Sequence, residues 1–204
     1  MSQLSLFHQG QAIRIDAELS SMDHIDLERG AWLELERGWL CGHEALFDLL
    51  RRRVAWRSES RVMYERTVDV PRQIATIDDA AQLHPVLEEI RAALDARYAT
   101  RFERLSVALY RDGHDSVAWH GDRVARRMPE ALVATVSVGA PRKFLLRPTG
   151  GGDSMHLALG WGDLLVMGGS CQRTYQHAIP KVAHADPRIA IMYRPAWPSQ
   201  LRAE

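Results

Sequence analysis

From about residue 104 the chain breaks into short apolar runs, many of them β-rich, separated by Gly, Pro or Asp: "LSVALYRDG", "SVAWH", "LVATVSVG", "KFLLRP", "MHLALG", "DLLVMGG", "TYQHAI" and "RIAIMYR". Strands of this length bury one face and turn at glycine and proline, where the backbone can reverse or can no longer donate to a ladder. "RPTGGGDS" is a strong turn, and Gly160, Gly162, Gly168 and Gly169 punctuate the runs nearer the C-terminus. Eight short strands at near-even spacing imply a sandwich or barrel, and eight fits a jelly roll.

Ahead of this block the period changes. "GHEALFDLLRRRVAW" places Ala45, Leu46, Leu49 and Leu50 at helical spacing, the mark of an amphipathic helix. A second helix is expected to begin near Pro85, with Val86, Leu87, Ile90, Leu94 and Tyr98 on one side and Glu88 and Glu89 in its first turn, where carboxylates complement the helix dipole. Residues 1–30 show little periodicity and read as an N-terminal arm, leaving residues 31–204 as one domain. The expected fold is α+β: a jelly-roll core backed by N-terminal helices.

Composition narrows the partners. Lys plus Arg equals Asp plus Glu at 26 each, so no global basic field draws the chain to nucleic acid and any such binding falls to local patches. Arg51 to Arg53, Arg123 with Arg126 and Arg127, and Arg142 with Lys143 and Arg147 are candidates, each also readable as a solvated face. The two cysteines, Cys41 and Cys171, form neither a C-x-x-C nor a zinc spacing and suit a reducing compartment. No apolar run approaches the roughly 20 residues that span a bilayer, and the N-terminus does not read as a signal peptide. A cytoplasmic protein with no membrane partner is the expectation.

The stretch "SVAWHGDRVARR" holds His120 and Asp122 two residues apart, hence on one face of a strand. His-x-Asp also occurs as His24/Asp26 and His184/Asp186, so the bare pair says little. Only His120/Asp122 follows a clear strand and precedes a histidine inside another strand pattern, His177 of "TYQHAIPK". Two imidazoles and one carboxylate would make a facial triad that leaves iron positions open. His156 competes as third ligand, but it lies directly after the "GGGDSM" turn. In "PRIAIMYRP", Arg188 and Arg194 are an even number of residues apart and share a face with Ala190 and Met192. Their α-carbons would lie about 20 Å apart at roughly 3.3 Å per residue. Two guanidinium arms leaning inward could bracket a small dicarboxylate, which arginine holds in a bidentate fork; the alternative is that both cap strand ends in solvent.

Taken in order, these residues resemble the AlkB family of iron- and 2-oxoglutarate-dependent nucleic-acid repair dioxygenases. The resemblance runs from "RTVDVPRQIAT" through "LYRDGHDSVAWHGD" and "ATVSVGAPRKFLLR" to "GDLLVMGGSCQRTYQHAIPK" and "PRIAIMYR", most of residues 60–195. It implies a double-stranded β-helix core, with Fe(II) held by His120, Asp122 and His177. It also implies that Arg188, Arg194 and Tyr110 hold the carboxylates of 2-oxoglutarate, and that Met192 faces that cosubstrate. Three positions depart from the family pattern: Ala108 and Ala190 stand where asparagine is common, and Met192 where threonine is. Arg123 and Val124 stand where many members carry a base-reading acid.

The implied reaction uses O2 to oxidise an N-methyl group on a damaged base, which then leaves as formaldehyde. The base must be taken out of its stack; Tyr64 is the candidate to sandwich it, with Trp56 behind it or in the core, and Arg147 and Arg123 are candidate phosphate contacts. Alkylated DNA is the expected substrate of a monomeric enzyme. RNA or transfer RNA is the alternative substrate, and a metal-binding jelly roll without turnover is the alternative of another class. Finally, "QLSLF" resembles the peptide with which bacterial repair proteins dock on the DNA sliding clamp, with Gln3, Leu4, Leu6 and Phe7 as contacts. The same apolar residues could instead fold back as an edge strand.

Overall fold

The structure, a computed structural model, describes residues 12–63, 66–122 and 125–196. In chain order the elements are β1 (Arg14–Ile15), β2 (Asp23–Asp26), β3 (Ala31–Glu36), β4 (Leu40–Cys41), α1 (His43–Arg53), β5 (Arg57–Met63), β6 (Arg66–Thr76), α2 (Ala80–Leu83) and α3 (Val86–Tyr98). They continue with β7 (Arg104–Tyr110), β8 (Val117–His120), β9 (Val133–Gly139), β10 (Arg142–Pro148), β11 (Met155–Leu159), β12 (Asp163–Gly169), α4 (Cys171–Thr174), β13 (Tyr175–Ile179) and β14 (Arg188–Arg194). Strands β7 to β14 coincide with the eight apolar runs of the sequence, and α1 and α3 with the two predicted helices.

Two antiparallel sheets face each other. The larger has the order β2-β3-β12-β9-β14-β7-β6-β5 and the smaller β11-β10-β13-β8, while β1 pairs with β4 apart from both. This is the jelly roll the spacing implied. Helices α1 and α3 cover the outer face of the larger sheet. There Leu46, Leu50, Leu87, Ile90 and Leu94 meet Leu105, Val107, Val136, Ile189 and Ile191 in one core. A second core fills the space between the sheets, from Leu33, Leu35 and Leu165 to Phe144 and Leu146. The Tyr193 hydroxyl donates to the Leu87 carbonyl at 2.9 Å and fixes β14 to α3.

Helices first and strands afterwards is not the order observed. Among the described residues six strands precede residue 104, and four of them extend the larger sheet at its two edges. Strand β3 alternates, with Leu33 and Leu35 in the inner core. On its other face Glu34 accepts from the Tyr98 hydroxyl at 2.5 Å and from Arg97 at 3.2 Å. Tyr98 and Arg97, the partners of this buried glutamate, lie more than 60 residues away, so the sequence around it does not show how its charge is satisfied. The sheet also reaches into the segment read as an arm, because Asp23–Asp26 pairs with β3. Gln3, Leu4, Leu6 and Phe7 lie outside the described residues. No helix among the described residues is long and apolar enough to cross a membrane.

Candidate active site

Strand β14 carries two functions on its two faces. Ile189, Ile191 and Tyr193 enter the helix-backed core, whereas Arg188, Ala190, Met192 and Arg194 line a cavity of about 930 Å³ between the sheets. The even spacing therefore does what alternation demands: both guanidinium groups enter the same space, along with His120, Asp122 and His177 from the opposite side.

His177 on β13 sits directly across from His120 on β8, with ring centroids 4.3 Å apart. The His120 Nδ1 lies 2.8 Å from the Ala118 carbonyl; that nitrogen must carry the proton, which leaves the Nε2 lone pair available. Burial pulls both imidazoles below their usual pKa, His177 well below because His120, Arg194 and Arg72 also face it. Neutral imidazole is the form that binds metal. Phe144 stacks on His177 at 5.3 Å and fixes its ring.

Asp122 lies just beyond β8, and its backbone N–H donates to the Gln172 side-chain oxygen at 2.9 Å. Its carboxylate accepts from Arg194 Nε at 2.5 Å, and Arg194 also donates to the Ser106 hydroxyl at 2.8 Å. Among the described residues no three His, Cys, Asp or Glu side chains close around a common point; Asp122 gives its carboxylate to Arg194 instead. In chemistry the set fits Fe(II): two neutral nitrogens and one carboxylate line the same cavity, leaving coordination positions open.

The far end of the cavity is cationic. Arg188 is 1% exposed and donates to the Ser137 hydroxyl at 2.6 Å, while its Nε has no partner among the described residues. Burial lowers its pKa to about 10. No carboxylate pairs with it among the described residues. The Tyr110 ring lies 5.6 Å from the guanidinium groups of both Arg188 and Arg142, and its hydroxyl accepts from Arg72 at 3.0 Å. A buried guanidinium with an unused N–H, inside a predominantly positive enclosure, is matched by a small dianion such as 2-oxoglutarate.

The remaining candidates fall elsewhere. His156 is exposed on β11 and does not line the cavity. His24 lies on edge strand β2, 3.3 Å from both Glu34 and Asp26, and His184 and Asp186 lie in an exposed loop. Arg147 sits outside the cavity with its guanidinium 4.0 Å over the Trp119 ring. Trp56 is half-buried, packs against the helix-backed core and donates to the Arg51 carbonyl at 3.2 Å, away from the cavity. Tyr64 and Arg123 lie outside the described residues. Sequence reasoning did not single out Arg72, Ser106, Ser137 or Gln172. The only available sign was the run of polar residues on the inner side of otherwise apolar strands, Ser106 in β7 and Ser137 in β9.

Comparison with known proteins agrees with this geometry. Residues 46–196 match the 2OG-Fe(II) oxygenase superfamily. The alpha-ketoglutarate-dependent dioxygenase alkB homolog 3 of Bos taurus is 29% identical over 177 residues, covering 76% of this chain and 62% of that protein. The DNA oxidative demethylase ALKBH2 of Arabidopsis thaliana is 26% identical over 221 residues, covering 83% of this chain and 68% of that protein. The chain thus spans about three fifths of the length of its bovine relative, 62%. A solved structure described as that of OsALKBH1 superposes with a TM-score of 0.59 at 13% identity, over 85% of this chain and 100% of that one, a likeness of fold alone. With its two histidines, one aspartate and paired arginines gathered in one jelly-roll cavity, the chain belongs to the 2OG-Fe(II) oxygenase superfamily, whose members use Fe(II), 2-oxoglutarate and O2, and its curated relatives bear out the resemblance to the AlkB family.

Proposed function

We propose that this protein removes N-alkyl groups oxidatively from bases in DNA, as an Fe(II)- and 2-oxoglutarate-dependent dioxygenase. The observation that carries the reading is the sharing of one cavity by His120, Asp122 and His177 with the buried Arg188, whose Nε has no partner among the described residues. When bound, the iron and its cosubstrate supply an oxidant that hydroxylates the N-methyl carbon, and the product sheds formaldehyde.

The chain's own residues do the rest. His120, His177 and Asp122 would hold the ion. Arg188, Arg194 and Tyr110 would hold the carboxylates of 2-oxoglutarate, Arg194 from its place beside Asp122. Phe144, Met167 and Ile179 line the same cavity and keep water from the reacting carbon, which protects the protein from a strong oxidant. Two alanines face each other in register, Ala108 and Ala190, and leave room for the cosubstrate between the two arginines. DNA is favoured by the Arabidopsis relative, whose name is DNA oxidative demethylase. On the same reading the protein acts as a monomer in the cytoplasm, Tyr64 stacks on the extruded base, Arg123 and Arg147 contact phosphates, and Gln3, Leu4, Leu6 and Phe7 dock on the sliding clamp.

The test is mass spectrometry of N-methylated DNA and RNA oligonucleotides after incubation with protein, Fe(II), ascorbate and 2-oxoglutarate, with succinate measured in parallel. Loss of methyl in step with succinate release is expected, faster on DNA. No succinate on any methylated oligonucleotide would end the enzymatic reading, and faster turnover of RNA would reassign the substrate.

A further inference from the structure

The His120–Asp122 segment is held from behind by a side chain with no chemistry of its own. Strand β8 ends at His120, so the Asp122 amide has no place in the sheet ladder. It donates instead to the Gln172 side-chain oxygen at 2.9 Å, across 50 positions of sequence. Gln172 is 3% exposed, and its Nε2 donates to the Met167 sulfur at 3.5 Å, which orients the amide with its oxygen toward Asp122. The backbone of the same residue backs the intervening glycine: a β-carbon at Gly121 would lie 2.6 Å from the Gln172 carbonyl oxygen. Helix α4, which carries Gln172, runs directly into β13 and so into His177.

We infer that Gln172 is the positioning residue of the metal site, setting the Asp122 carboxylate relative to both imidazoles by fixing the Asp122 peptide on the helix that delivers His177. This rests on the reading of His120, Asp122 and His177 as iron ligands. A partner one step behind a ligand acts on affinity by limiting the orientations the ligand samples, and losing such a partner typically weakens metal binding about 10- to 100-fold. A residue that only filled the core would change stability and leave metal affinity alone.

The experiment is anaerobic calorimetric titration of the intact protein with Mn(II), a redox-silent stand-in for Fe(II), with Asp122→Ala as reference. Gln172→Met keeps the length and removes the amide; it is expected to weaken Mn(II) binding about 10- to 100-fold while the KM for a methylated oligonucleotide at saturating metal stays unchanged. Gln172→Glu keeps an oxygen acceptor at the same reach and is expected to recover wild-type affinity. Wild-type affinity in Gln172→Met, or equal loss in Gln172→Glu, overturns the inference. Should Gln172→Met not fold, Gln172→Glu and Gly121→Ala decide: retained affinity in the first and loss in the second are expected, and the reverse refutes it. If wild type and Asp122→Ala both fail to bind Mn(II), the ligand assignment itself is wrong and the inference falls with it.

Discussion

Replacing Arg188 with methionine separates a residue kept for function from one kept for folding. Its guanidinium is 1% exposed, and burial lowers its pKa from 12.5 to about 10. A shift of that size disfavours the charged form by about 3 kcal/mol at roughly 1.4 kcal/mol per unit. The variant escapes that cost but leaves the Ser137 hydroxyl without its donor, a loss of about 1 kcal/mol. Arg188→Met without metal or cosubstrate should therefore be more stable by about 2 kcal/mol, or roughly 4–8 °C in Tm for a chain of this size. Its use of 2-oxoglutarate should suffer in the opposite sense. Truncating one partner of a buried, hydrogen-bonded charge pair costs about 2–5 kcal/mol, which raises the KM for 2-oxoglutarate roughly 30-fold to several thousand-fold. Thermal unfolding of the unliganded protein and succinate formation against 2-oxoglutarate concentration read the two arms. A variant that melts lower and uses 2-oxoglutarate with an unchanged KM would show that Arg188 is a structural strut, and the argument from its unsatisfied charge would be wrong.

Other expectations are simpler. His177→Ala should abolish Mn(II) binding and turnover, whereas His156→Ala, on the exposed side of β11, should leave both intact; calorimetry and succinate release check the pair. Tyr193→Phe removes the bond to the Leu87 carbonyl and should destabilise by about 1 kcal/mol in urea unfolding without altering the KM for 2-oxoglutarate. Leu94→Ala, which opens the fully buried face of α3, should cost about 2–5 kcal/mol by the same measurement. The pKa of His24 is raised above 6.5, first by its bond to Glu34 and then by Asp26. Its stabilising effect is complete below that unfolded-state value and is lost as pH climbs through the raised one. The advantage of wild type over His24→Gln in urea midpoint should accordingly be larger at acidic than at alkaline pH.

How far the sequence alone reached depends on where each element finds its partners. Strands β7 to β14 were legible because their apolar residues alternate or run continuously between glycine and proline, and α1 and α3 because a core-facing helix repeats its leucines. Strands β2 and β5 were not, since "DHID" and "RSESRVM" carry few apolar residues, and β3, although it alternates, holds a buried Glu34 whose partners Arg97, Tyr98 and His24 come from elsewhere. The site divides in the same way. His120, Asp122, His177, Arg188 and Arg194 are chemically marked residues at spacings with a direct geometric meaning. Arg72, Ser137 and Gln172 are ordinary residue types whose relevance comes from sheet order and from a short helix folding back on a loop, neither of which a local pattern contains.

The two-sided strand β14 has an implication for how this site can change. Side chains swap faces whenever the pairing slips by one residue. A single-residue deletion ahead of Ile191 would thus drive one guanidinium toward the oily layer under α3 and present an isoleucine to the cosubstrate. Anchor and scaffold are ruined by the same event, with no intermediate in which one survives. Variation in this strand is consequently confined to exchanging one side chain for another in place, and β14 does not tolerate a change of length.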